Sequence, residues 1–313
     1  MPQNQLSSGD VLTDRRADYA RMLAESGDPG AAAELMEQAL EQAPNWVSGW
    51  FRLGEYREKA GNRDGAIEAY RKVLGFGGDD IFGAHLKLVL LGAEAVPDEP
   101  ARHYVERLFD DYAERFDKAL VERLEYSVPK QVASLLEREA PDCRFACTVD
   151  LGCGTGLFGV EIRSRTMRLE GFDLSTRMLA KAAQKQVYEH LGRADLSLPT
   201  EASGLFGETL ARHRADLVGA TDVLNYLGNL SGVFTLVEAL LADGGLFAFS
   251  VEDAGGGDGF HLGEAMRFAH SESYVRSLCA GHRLQVAATE RAVLRKDGGN
   301  AVQGILFLAA KGS

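Results

Sequence analysis

Over the first hundred residues, apolar positions recur at helical spacing, and the pattern itself recurs thirty-four residues later. Ala32, Met36, Ala39 and Pro44 are followed by Ala66, Tyr70, Val73 and Gly78. Small residues return where two helices would cross closely, and a breaker or near-breaker returns at the turn. One copy spans residues 13 to 46, a second starts at Trp50, and a segment from about Ile81 to Gly92 keeps the pattern of a single helix. The expectation is a disordered leader over 1–13 and two helical repeats with a capping helix over 14–92. Such repeats cannot bury their faces alone, so the array should lean on the rest of the chain, on a second copy or on a partner protein.

"GAEAVPDEPARH" carries two prolines and several acids without a period, and reads as a linker over 93–103. Beyond it, Val105, Leu108, Phe109, Tyr112, Phe116 and Leu120 form one stripe of an amphipathic helix expected over 104–124. From Thr148 the period changes. Short apolar runs ("TVDL", "LEGFDL", "ADLVGA", "GLFAFSVE") alternate with helical stretches such as "RMLAKAAQKQVYEHL" and "VFTLVEALLA". This alternation predicts an α/β domain over 104–313, a parallel sheet with helices on both faces. At the end, "RLQVAATERAVL" and "VQGILFLAAK" flank "RKDGGNA", which predicts a hairpin and an antiparallel last strand.

Composition narrows the functional classes. With 313 residues and a net charge of −12, basic residues scattered among acids, the chain is not built to follow a nucleic-acid backbone. No apolar run approaches bilayer length and the first residues lack a signal-peptide pattern, so a cytoplasmic protein is expected. Cys143, Cys147, Cys153 and Cys279 have neither Cys-x-x-Cys nor zinc-ligand spacing, so no metal is expected and the thiols read as reduced.

The chemistry concentrates in "VDLGCGTGLFGVEIRSRTMRLEGFDLS". A strand ends at Asp150 and Leu151, and the chain turns through Gly152, Cys153, Gly154, Thr155 and Gly156 into a helix, at the strand ends where open α/β sheets bind ligands. Seventeen residues past Gly156, Asp173 ends the next strand, placed to accept ribose hydroxyls. A dinucleotide and S-adenosylmethionine both suit this arrangement. The spacing is G-x-G-x-G, not the dinucleotide G-x-G-x-x-G, and Asp150 two residues ahead would repel a pyrophosphate but suit the ammonium of a methionine moiety.

"VDLGCGTG" and "GFDLS" resemble two motifs of the class I S-adenosylmethionine-dependent methyltransferases, and "GRADL" and "ADLVGATDVLNYLGNL" resemble two more. The resemblance implies a Rossmann-like sheet with S-adenosylmethionine as cofactor and S-adenosylhomocysteine as product. It implies cofactor contacts from Leu174 and Met178, from Asp195 and Leu196 at the adenine, and from Asp222, Val223 and Leu224 at the methionine end, with Tyr226 facing the substrate. The stretch from Trp50, with Leu53, Gly54, Gly61, Ala66 and Tyr70, resembles a tetratricopeptide repeat. Together with "FDDYAERFD" and "MRFAHS", the chain is similar to bacterial tetratricopeptide-repeat methyltransferases, relatives of the ubiquinone-pathway O-methyltransferases. That family places the helix carrying Tyr112 and Phe116 over the cofactor as a lid, although such a stripe also suits plain core.

His270, in "RFAHSESY" between the fifth strand and the hairpin, is the first candidate for a general base, where the other reading is a surface histidine beside the helix-capping Ser271 and Ser273. Arg267 would pair with a substrate carboxylate or lie in solvent. Tyr226 would orient the acceptor or pack. Gly255 to Ser273 is expected to cover the pocket. The function expected is methyl transfer to a small molecule, with oxygen as the acceptor atom. Protein methylation directed by the repeats, and a cofactor-binding scaffold, stand as alternatives.

Overall fold

A computed structural model describes residues 6–97, 101–114 and 126–312. The chain divides into two compact units between Pro97 and Asp98, inside the segment read as a linker. Unit one is helical: α1 (Val11–Glu25), α2 (Pro29–Gln42), α3 (Val47–Lys59), α4 (Arg63–Gly75) and the short α5 (Ala84–Leu90). Asp10, Asp28 and Asn62 cap α1, α2 and α4 by accepting from backbone N–H groups three residues on. The first helix thus begins inside the stretch expected to be a disordered leader, and Thr13 is buried in it. The repeated small and apolar positions are the core: Ala32, Met36, Ala39, Ala66, Tyr70 and Val73 are all buried. Gly54 lets α3 lie against the buried Tyr70 ring, since a Cβ there would stand 2.5 Å from it.

Unit two is an α/β domain. Its helices are α6 (Arg102–Tyr112), α7 (Val128–Glu139), α8 (Leu157–Ile162), α9 (Thr176–Gln184), α10 (Ser231–Leu240) and α11 (Glu272–Gly281). Its strands are β1 (Phe145–Leu151), β2 (Thr166–Asp173), β3 (His190–Arg193), β4 (Ala215–Ala220), β5 (Leu241–Asp253), β6 (Phe260–Leu262), β7 (Phe268–His270), β8 (Leu284–Asp297) and β9 (Asn300–Lys311). The first five lie in the order β3-β2-β1-β4-β5, all parallel. Beyond β5, β9 pairs antiparallel along Leu246 to Glu252, and β8 pairs antiparallel with β9. Two apolar clusters cover opposite faces, one around Phe234, Phe247 and Phe249, the other around Leu136, Phe158 and Leu306. Strand order reverses between β1 and β4, and a crevice opens beyond their C-terminal ends.

Three expectations need correction. The helix starting near Arg177 stops at Gln184, and Gln186 at φ 55° turns the chain into β3, an edge strand too short and too half-exposed to show a period. The segment around "MRFAHS", expected to form part of a cover over the pocket, is built into the sheet: β7 extends it at the tip of β5, with β6 antiparallel to β7. In "RKDGGNA" only Gly298 and Gly299, both at positive φ, make the turn, while Arg295 to Asp297 continue β8. The helix expected over 104–124 is described as far as Tyr112, and Phe116 lies outside the described residues.

Helix propensity alone would have Gly54→Ala stabilise α3 by about 1 kcal/mol. Crowding against Tyr70 opposes this with an overpacking cost of about 1–3 kcal/mol. The expected outcome is a net loss, read as faster amide exchange in α3 and α4 of the full chain.

Candidate functional site

Asp173 ends β2 and is nearly buried. Its Oδ2 accepts from Gly154 N–H and its Oδ1 from Ser175 N–H, both at 2.8 Å, so one carboxylate joins the glycine turn to the start of α9. The turn is tight because Gly152, Gly154 and Gly156 all have positive φ. At Gly152 a Cβ would stand 2.3 Å from Val223, so the turn after β1 and the segment after β4 meet without space for a side chain. Within the turn the amides point inward: Cys153 N–H donates to Phe172 O at 3.0 Å and Gly156 N–H to Cys153 O at 2.8 Å.

A cavity of about 350 Å³ opens here. Of the predicted residues, Gly152, Cys153, Gly154, Asp173, Leu174, Asp195, Leu196, Asp222, Val223, Tyr226, Arg267 and Tyr112 line it. Asp195 Oδ1 accepts from Ser197 N–H at 2.9 Å, and Arg102 Nη1 stands 3.8 Å from Oδ2. Asp222, at φ 56°, receives Asn225 Nδ2 at 3.2 Å and Arg295 Nη1. Tyr226 meets Phe109 edge to face at 5.0 Å.

Other predicted residues stand behind the wall. Gly156 caps α8, while Met178 and Leu224 are fully buried under the crevice. Asp150 is fully buried, with Oδ2 accepting from Tyr188 Oη at 2.7 Å and Oδ1 without a partner among the described residues. Cys153 is buried and desolvation holds its thiol well above the ordinary range, so it is no nucleophile.

His270 is corrected most sharply. It is fully buried and does not reach the cavity. Its Nε2–H donates to the carbonyls of Leu227 and Gly228, both at 3.0 Å, and burial pulls its pKa down to about 4. The ring is neutral and its accessible donor is used in holding the loop after β4, so it serves as a structural pin and not a base. Ser271 caps α11 as expected. Gly255 to Ser273 does not cover the pocket, to which it contributes only Arg267.

Helix α6 and the β8–β9 hairpin also line the cavity. On α6 no residue is fully buried, yet Val105, Leu108, Phe109 and Tyr112 line the cavity, so the apolar stripe faces the cavity and not core. Its polar face is tied down by Ser175 Oγ donating to Asp110 at 2.6 Å and by Arg193 to Glu106 at 2.6 Å. The tip of the β8–β9 hairpin adds Arg295, Lys296 and Asp297. Sequence reasoning missed these three. The only signal was a cluster of charges ahead of a Gly-Gly turn in a strand longer than the sheet needs. Tyr126 and Thr221 were missed as well. Among the described residues no cluster of metal-ligating side chains occurs.

Residues 121–288, more than half of the chain, match the methyltransferase domain family. The chain belongs to that family. Residues 14–56 match the tetratricopeptide repeat. Malonyl-[acyl-carrier protein] O-methyltransferase of Enterobacter lignolyticus is 29% identical over 121 residues, 39% of this chain and 45% of that protein. A TPR repeat-containing protein of Pseudomonas aeruginosa is 38% identical over 50 residues, 16% of this chain and 48% of that protein. The chain spans about half the length of the curated relatives it matches. The crystal structure of Burkholderia thailandensis 1,6-didemethyltoxoflavin-N1-methyltransferase, with 1,6-didemethyltoxoflavin and S-adenosylhomocysteine bound, aligns with a TM-score of 0.51 at 17% identity, over 70% of this chain and 93% of that one. That likeness shows a shared fold for the methyltransferase domain.

Burial raises the Asp150 carboxyl to about 7 and that of Asp173 to about 6. Between about pH 4 and those values the folded protein binds more protons than the unfolded chain, so these groups make stability fall as pH rises. Denaturant unfolding of the ligand-free protein at pH 5 and pH 7.5 should show this loss, and Asp150→Asn, which keeps the Tyr188 bond but carries no charge, should diminish it.

Proposed function

We propose that this protein is an S-adenosylmethionine-dependent methyltransferase that acts on a small-molecule acceptor through oxygen. The observation that carries the cofactor reading is the direction of the amides in the glycine turn. Those of Cys153, Gly154 and Gly156 are all engaged within the protein, so a pyrophosphate would find little of the N–H cradle it needs. A nucleoside needs something else: a carboxylate at the end of β2, a second polar group one strand further, and apolar surface between. Asp173, Asp195, Leu174 and Leu196 supply these on one wall. The cavity volume lies in the range of about 300–1,000 Å³ usual for such ligands. Asp150, with Oδ1 lacking a partner among the described residues, places a carboxyl group behind the turn, which suits an ammonium held through water.

When bound, S-adenosylmethionine supplies a methyl group on a positively charged sulfur. The chain's own residues bind and align. Asp173 accepts from the ribose hydroxyls and Asp195 from the adenine amino group, and the open backbone at Gly152 and Gly154 permits close approach. Tyr226, whose phenol is raised by burial, remains protonated and donates a hydrogen bond instead of accepting a proton. α6 excludes water from above. With His270 withdrawn, no general base is assigned, which suits an acceptor oxygen already ionised, and alignment alone supplies up to about 7–11 kcal/mol in well-oriented model systems. The oxygen assignment draws support from the O-methyltransferase relative. The tetratricopeptide match supports a contact surface on unit one, for a partner protein or a second copy.

Calorimetry should find S-adenosylmethionine and S-adenosylhomocysteine binding while NAD does not, with Asp173→Ala weakening both at least tenfold. NAD binding in their place would make the chain a dinucleotide protein. Because the diol contact needs the ionised carboxylate, affinity should rise from pH 5 to pH 7.5. Amide exchange over 102–112 should slow when S-adenosylhomocysteine binds. Unchanged exchange would remove α6 from the binding site.

A further inference from the structure

Resting on the methyltransferase reading, we infer that the acceptor carries a carboxylate that binds at Arg267 beside Arg295, and that Asp297 on the hairpin tip holds this place in the free protein as a tethered competitor. The carboxylate is a recognition group, and no covalent step is assigned to it.

Both arginines line the cavity. Arg295 Nη1 donates to Asp222 and Nη2 to Glu252. Arg267 Nε donates to Glu252 at 3.0 Å and Nη2 to Asp297. Each guanidinium offers five N–H donors, and these bonds use two of them. The carboxylates are of two kinds. Asp222 and Glu252 have side chains only 14% exposed; they sit at the ends of β4 and β5 and fix the arginine planes. Asp297 is 49% exposed and stands one residue before the Gly298-Gly299 turn, where displacement disturbs least. Arg267 is only 17% exposed, so solvent weakens this pair from the Asp297 side alone, and an incoming carboxylate competes with an occupant that water already reaches.

Charge and free donors together set the ligand class. Arg267 and Arg295 balance Asp222 and Glu252, and Lys296, next to Asp297 in the chain, also lines the cavity. Asp297 is a third carboxylate on the same group, and exchanging it for a carboxylate of the ligand leaves the local charge unchanged. A cationic ligand offers the free guanidinium N–H groups no acceptor and so has nothing with which to displace Asp297. Arginine is suited to planar, bidentate carboxylates. The nearby wall is apolar and aromatic, with Leu108, Phe109 and Tyr226, which suits the body of an aromatic or alkyl acid.

The test is calorimetric titration of the full chain, saturated with S-adenosylhomocysteine, with benzoate, benzamide and benzylamine, which share one ring and differ in head-group charge. Benzoate should bind at least tenfold tighter than benzamide, and benzylamine weakest. Arg267→Gln should abolish the preference for benzoate, and Asp297→Asn should tighten benzoate at least threefold. Equal affinities, a preference for benzylamine, or unchanged or weaker benzoate binding in Asp297→Asn would overturn the inference. If Arg267→Gln does not fold, Asp297→Asn, at the exposed tip, decides alone. If S-adenosylhomocysteine fails to bind, the cofactor reading falls, and benzoate titrated without it still decides this one.

Discussion

The site depends on a single buried carboxylate. Asp173 accepts Gly154 N–H with one oxygen and Ser175 N–H with the other, and so fastens the turn after β1 to the start of α9 across the end of β2. A carboxylate is costly to bury, and burial raises its pKa to about 6 even with those donors in place. The bonds that offset that cost are the ones that give the glycine turn its shape. With its amides engaged inward, the turn offers a ligand open backbone and little anion-binding capacity. The carboxylate that shapes the turn thereby also limits which anions the crevice can take.

A second set of buried charges works by the opposite logic. At the far end of the cavity Asp222, Glu252, Arg267 and Arg295 neutralise one another. Such clusters give little net stability, because desolvation consumes most of the attraction, but they hold polar groups in fixed positions. Arg295 belongs to a hairpin whose long strands carry it from the last edge of the sheet back to the tips of β4 and β5. The antiparallel insertion of β9 beside β5 is therefore not only a way to finish the sheet. It delivers the charges of the hairpin tip to the cavity.

Both findings change the roles read from single residues. Histidine is the usual choice for a proton acceptor, and His270 lies in a segment bearing chemical candidates. Two carbonyls within reach of one nitrogen make it a buried donor. The amphipathic stripe of α6 was ambiguous between core and pocket by its period alone. None of its residues is fully buried, although four apolar ones face the cavity.

The sequence by itself determined the alternation of strands and helices, the repeat, the antiparallel ending and the cavity wall from Gly152 to Val223. These features are local: a period, a turn or a charge at a strand end is encoded within a few neighbouring residues. The far end of the cavity was decided only by the tertiary structure. It joins Asp222, Glu252, Arg267 and Arg295, brought together by strand order and not by sequence spacing. The same holds for the short strand β3 and the burial of His270, since an edge strand has too few residues for a pattern and a histidine's neighbours come from a loop some forty positions earlier. Local chemistry could be read from the string of residues, but which charges meet depends on the path of the chain through the sheet.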